Sequence, residues 1–275
     1  VNLEDIAQPK CFEILGRLRE ECEIPIWHDD QQGTAAVTLA GLINSFKIVG
    51  KKIEKVKIAM VGAGAANISI ARLIIAYGAN PKNIIMCDSK GALHKNRREL
   101  RKTHKEKWEI CQKTNAEGRT GHIPEVMEGT DVLIALSQPG PGVVKKEWVA
   151  RMAPDPIVFA CANPVPEIWP WEAKEAGARV VATGRSDFPN QVNNSLGFPG
   201  IFRGTLDVQA ETITDEMCIA AAKELAKCAE EKGLREDYLI PTMDEWEVYP
   251  REAVAVGMEA VAQKIARLKL TKDCL

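Results

Sequence analysis

Ile58-Ala59-Met60-Val61-Gly62-Ala63-Gly64-Ala65-Ala66-Asn67 is the stretch on which the fold turns. Four apolar residues in succession predict a buried strand, and the following segment, Ile68 through Tyr77, predicts a helix. Between them, Gly62 permits a tight turn and Gly64 lets the backbone approach a pyrophosphate. The helix N-terminus adds free N–H groups and a favourable dipole. Strand, glycine turn and helix together make Gly62, Ala63, Gly64, Ala65 and Ala66 a candidate dinucleotide cradle. Asn67 stands where a third glycine would let helix and strand pack closely, so the fingerprint is imperfect.

Working outward, apolar runs at residues 58–61, 84–87, 132–136, 157–161 and 180–182 alternate with helical stretches. That alternation predicts an α/β fold, a Rossmann-like doubly wound parallel sheet with flanking N- and C-terminal helices. The Pro139-Gly140-Pro141-Gly142 cluster reads as a loop at a strand end, the edge where such sheets bind ligands. Upstream, Ile6, Phe12, Leu15 and Leu18 recur at nearly helical spacing through Cys22, predicting a first helix that carries Glu4 and Asp5 near its N-terminus. Pro9 is tolerated in a first turn. A second helix is expected over 33–49, with Asp29-Asp30 at its entrance, and further helices over 191–205, 215–232 and 251–268. The division expected is a helical segment 1–50 carrying acidic motifs, a Rossmann-like domain 51–205, and C-terminal helices 206–275 packing on it.

With 45% hydrophobic residues, 27% charged and a net charge of −2, the chain has the composition of an ordinary globular protein, and disorder is excluded. Eight cysteines without a C-x-x-C pair indicate neither a zinc cage nor a disulfide framework, and reduced thiols suit the cytoplasm. No run approaches the ~20 apolar residues of a membrane span. The basic run 95–107 is interleaved with Glu99 and Glu106 and lacks aromatic platforms, so it reads as a solvated helix face and not a nucleic-acid surface. Asp88, at the end of the second sheet strand, can accept from a ribose 2′-hydroxyl and favours NAD. Lys90, Arg97 and Arg98 can instead receive the 2′-phosphate of NADP.

The acidic pairs Glu4-Asp5 and Asp29-Asp30 offer the carboxylate oxygens that a hard divalent cation takes. Taken singly, each also suits a first helical turn, where it complements the dipole. An asparagine after a strand, such as Asn163, is usually a turn residue. His28 reads as structural, Arg185 as a partner of Asp187, and the six tryptophans and Met217 as packing residues.

Several ordered motifs carry a resemblance over almost the whole chain. Asn2-Leu3-Glu4-Asp5-Ile6, Trp27-His28-Asp29-Asp30-Gln31-Gln32-Gly33-Thr34-Ala35, Ala162-Asn163-Pro164, Thr183-Gly184-Arg185-Ser186-Asp187 and Asn193-Asn194 with Phe198-Pro199-Gly200 resemble the prokaryotic-type malic enzymes. The resemblance implies oxidation of (S)-malate by NAD(P)⁺ and its decarboxylation with Mg²⁺ or Mn²⁺ to pyruvate and CO₂. It implies Glu4, Asp5 and Asp30 as metal ligands, Asp29 beside a catalytic lysine, Asn163 and Asn194 on substrate and nicotinamide, and Thr34 on the cofactor. That lysine and a general-acid tyrosine belong to a family domain upstream of Val1. The chain is thus expected to be the cofactor- and metal-binding portion, incomplete for full activity, within a homodimer or larger assembly. Two other readings stand beside it: a non-catalytic, redox-sensing dinucleotide module, and another two-domain dehydrogenase, which would explain the glycine turn but not the paired carboxylates.

Overall fold

The computed structural model describes residues 1–271 and 274. Along the chain run β1 (Asn2–Leu3), α1 (Lys10–Glu21), β2 (Trp27–His28), a π-helical turn (Asp29–Gly33), α2 (Thr34–Val49), β3 (Ile58–Val61) and α3 (Ala65–Tyr77). Then come β4 (Ile84–Asp88), β5 (Gly91–Ala92), α4 (Leu100–Thr103), α5 (Lys105–Lys113), α6 (Ile123–Met127), β6 (Val132–Ala135), α7 (Lys146–Val149), β7 (Ile157–Ala160), α8 (Pro170–Glu175) and β8 (Val180–Thr183). A 3₁₀ turn (Asn194–Leu196) leads into α9 (Phe198–Asp207), α10 (Asp215–Glu231) and α11 (Val248–Ala262).

The main sheet has the order β5-β4-β3-β6-β7-β8, parallel throughout except for the short antiparallel edge β5. Every residue of β3, β6, β7 and β8 is buried, because helices cover both faces, and this is why the strands read as unbroken apolar runs. On one face Met60, Ile134 and Phe159 belong to a single hydrophobic cluster with Leu39 of α2 and Ile70 of α3, which Leu225 of α10 and Val256 of α11 extend, α10 packing on α2 and α11 on α10. The other sets Ala59, Leu133 and Val158 against Val126 of α6 and Ala173 of α8. Strand order reverses between β3 and β6, which places a crevice at the carboxyl ends of those strands. The doubly wound fold expected from the sequence is the one found.

The N-terminus differs from expectation. Glu4 and Asp5 do not lie on a helix: residues 2 and 3 form β1, which pairs in parallel with β2 through Asn2–Trp27 and Leu3–His28. Asp5 adopts a positive φ of 58°, and α1 begins only after Pro9. A proline disfavours the helical region for its predecessor, so the helix cannot extend back to the acidic pair. The helix expected over 191–205 is likewise divided, since Asn193 Oδ1 accepts the N–H of Ser195 and holds a separate 3₁₀ turn before α9. The last long helix starts earlier and ends earlier than expected.

α9 lies unusually close to α11. A Cβ at Gly200 would collide with the Glu252 carboxylate, and one at Gly204 with the Ala253 carbonyl oxygen. Among the described residues no helix is long and apolar enough to cross a membrane.

Candidate dinucleotide and substrate site

Gly62 has φ 97°, its N–H donates to the Cys87 carbonyl at 3.0 Å, and a Cβ there would collide with the Leu136 carbonyl oxygen. Only glycine meets both demands. Gly64 faces open space, with no atom within 4 Å of where a Cβ would stand, and it caps α3 without a side-chain acceptor. The first-turn N–H groups beside Ala65 and Ala66 are therefore free for an anion, so the cradle fits a pyrophosphate. Asn67 resolves its departure from the fingerprint. Its buried Nδ2 donates to the carbonyls of Val61 and Gly62 at 2.8 and 2.9 Å, joining α3 to β3 by hydrogen bonds where a glycine would join them by close packing.

A cavity of about 280 Å³ runs from this turn past Asp88, Lys107, Ser137 and Val143. Within it Asp88 is not a free acceptor. Its oxygens take the N–H of Lys90 at 2.9 Å, the guanidinium of Arg97 at 3.2 and 3.3 Å, and the ammonium of Lys107 at 3.3 Å. Burial opposes the charge, yet these donors hold its pKa below the usual carboxylate range. Lys90 thus contributes its backbone here, while Lys107, which lies in the run read as a solvated face, turns inward. Spacing along the chain gave no sign of Lys107.

Beyond β6 and β7, one side chain ties the loops together. The carboxylate of Glu167, fully buried, accepts from Ser137 N at 2.8 Å, Ser137 Oγ at 3.2 Å and Ala162 N at 3.1 Å. Burial raises its pKa and these donors pull it back. Sequence reasoning passed over Glu167, although a lone charge within Val165-Pro166-Glu167-Ile168 was a usable signal. Asn163, next to Ala162, is exposed at the same edge, and its amide packs over Gly184, where a Cβ would stand 3.1 Å from Asn163 Oδ1. Arg185 pairs with Asp187 at 2.7 Å, as expected, and also donates to the Pro164 carbonyl at 2.6 Å.

At the π-helical turn, buried Asp29 accepts from Trp27 Nε1 at 3.1 Å through one oxygen and from Asn194 Nδ2 at 2.6 Å through the other. Its pKa is raised, mainly by burial, with Glu4 and Asp30 adding repulsion. Asn194 thereby commits one of its two amide N–H donors to Asp29. Thr34, the first residue of α2, is half-buried beside the same turn. His28 is fully buried with neither ring nitrogen hydrogen-bonded, and burial lowers its pKa.

The β1–β2 pairing brings the acidic pairs together, and the Asp5 N–H donates to Asp30 Oδ2 at 2.9 Å. The side chains of Glu4, Asp5 and Asp30 nevertheless do not close a shell. Among the described residues no group of three or more His, Cys, Asp or Glu is arranged to hold an ion. Hard oxygen donors suit Mg²⁺ or Mn²⁺ in kind, but as arranged these do not fit one.

Residues 31–263 match the model of the malic enzyme NAD-binding domain. The chain is 49% identical to a bifunctional malic/malolactic enzyme of Bacillus subtilis over 99% of its own length, and 48% identical to an NAD-dependent malic enzyme of Geobacillus stearothermophilus over 97%. It superposes on the crystal structure of Entamoeba histolytica malic enzyme with a TM-score of 0.97 and 56% identity over 99% of the chain. It spans 65% and 54% of the length of the two relatives and 56% of the crystallised chain.

Proposed function

Because this chain belongs to the malic enzyme family, we propose that it is the dinucleotide-binding part of an enzyme that converts (S)-malate to pyruvate and CO₂ with reduction of NAD(P)⁺. The observation that carries the reading is the cradle itself: an open Gly64 at the uncapped start of α3, beside the strand-order reversal. Anion and dinucleotide binding both favour that position.

In this reading the bound dinucleotide supplies the hydride acceptor, and the chain's residues hold and orient the reactants. Gly62 to Ala66 seat the pyrophosphate. Asp88, with the cations it gathers, faces the adenosine ribose. Asn163, exposed beside Gly184, and the amide oxygen of Asn194 are the groups assigned to substrate and nicotinamide, and Thr34 lies on the cofactor side. Each oxygen of Asp29 has one donor and keeps a lone pair free, which supports its role as an anchor for a catalytic cation. Glu4, Asp5 and Asp30 are assigned to the divalent ion on the resemblance alone, because their present arrangement does not hold one. Small-molecule partners, a homo-oligomer and a reducing cytoplasmic setting complete the proposal.

Fluorescence titration of the 275-residue protein with NADH and NADPH tests the reading. Saturable binding that Asp30→Asn leaves intact is expected. The absence of saturation with both dinucleotides overturns it.

A further inference from the structure

We propose that Glu167 is a positioning residue for the nicotinamide half of the dinucleotide. The inference rests on the dinucleotide reading, and Glu167 lies outside the motifs that carry the family resemblance.

Glu167 gathers donors from two loops that are remote in sequence. Ser137 and Ala162 stand at the carboxyl ends of β6 and β7, and both converge on its side chain. Its segment reinforces the link through the backbone: the Val144 N–H donates to the Glu167 carbonyl at 3.1 Å, and the Gly140 N–H to the Val165 carbonyl at 3.1 Å. Leu136, just before Ser137, supplies the carbonyl against which Gly62 packs. Asn163 follows Ala162 directly. One carboxylate thus fixes the loop lining the cavity and the loop presenting the exposed amide.

The direction of the sheet decides which half of the ligand these loops meet. With the pyrophosphate on Gly62 to Ala66 at β3 and the adenosine ribose toward Asp88 at β4, the rest of the molecule crosses the reversal toward β6 and β7. A buried carboxylate is costly unless donors satisfy it, and here three donors do. Glutamine could not replace it without loss, because its NH₂ would face a backbone N–H that needs an acceptor.

Glu167→Gln in the 275-residue protein, titrated with NADH and separately with ADP-ribose, tests the proposal. ADP-ribose carries the adenosine and pyrophosphate but no nicotinamide. NADH affinity should fall about tenfold or more, the equivalent of one buried charge-assisted hydrogen bond, while ADP-ribose affinity stays within about twofold. Equal weakening of both ligands would reveal a merely structural role and overturn the proposal, as would no change in either. If the unmodified protein bound neither ligand, the dinucleotide reading itself would fail and take this inference with it. Should Glu167→Gln not fold, Ser137→Ala, which removes only the hydroxyl donor, decides: a smaller loss confined to NADH supports the role, and a loss shared by both ligands or seen with neither overturns it.

Discussion

Asn194 Nδ2 donates to Asp29 Oδ2 across 2.6 Å, joining the entrance of α2 to the approach of α9 over 165 residues of chain. Asp29 is buried, so removing this donor leaves an acceptor unsatisfied. Asn194→Ala should destabilise the protein by about 1–3 kcal/mol in urea unfolding. An unchanged midpoint would show that the contact is not maintained in solution.

Asn67→Gly restores the spacing of the glycine fingerprint, and a pattern-based argument would expect improvement. The geometry predicts the reverse. Losing the bonds to Val61 and Gly62 and placing glycine inside a helix should together cost about 2–4 kcal/mol, read as a lowered thermal midpoint.

The strands were legible because helices bury both faces of β3, β6, β7 and β8, which leaves runs with no polar interruption. What sequence could not give was the outcome of side-chain competition. Asp88 was correctly placed at a strand end, but its capture by Lys107, 19 residues on, depends on how α5 turns against the sheet. Asp29-Asp30 stand at the entrance of α2, as expected, but Glu4-Asp5 reach them through β1–β2 pairing and not from a helix, because the first helix begins only after Pro9. Asn67 and Glu167 act through distances that spacing does not encode.

Gly62 and Gly64 should separate stability from binding. Gly62→Ala forces a Cβ into the Leu136 carbonyl at a positive φ, and a loss of more than about 2 kcal/mol is expected. Gly64→Ala meets nothing in the protein. Its thermal midpoint should hold while NADH affinity falls about tenfold, since the methyl occupies the anion's approach. Normal NADH binding by Gly64→Ala would place the pyrophosphate elsewhere.

Glu252 is fully buried on α11 with neither carboxylate oxygen hydrogen-bonded, and burial raises its pKa well above 4.5. The folded state therefore holds this proton more tightly than the unfolded chain does. The resulting stabilisation is complete below the unfolded pKa of 4.5 and is lost as pH climbs toward the raised folded value. Glu252→Gln should match the parent near that lower limit and exceed its stability in mildly alkaline buffer by about 1–3 kcal/mol. Parallel stability-against-pH curves for the two proteins would contradict the assignment.

Two thiols flank the site without serving it. Burial pushes Cys87 up to about 12 and raises Cys161 as well, so both stay protonated near neutrality. Iodoacetamide should label exposed Cys274 and half-buried Cys22 first and leave NADH binding intact, as peptide mass spectrometry and titration would show. Rapid inactivation with Cys161 modified would count against this.

The tight seam at Gly204 makes the pairing of α9 with α11 a remote handle on Asp29. α9 has no slack against the Ala253 carbonyl, so a wedge inserted there must push the whole helix and drag the turn holding Asn194 with it. Bulky substitutions at Gly204 would then reach the acidic cluster as a displacement carried by one rigid rod, with no change to any residue touching a ligand.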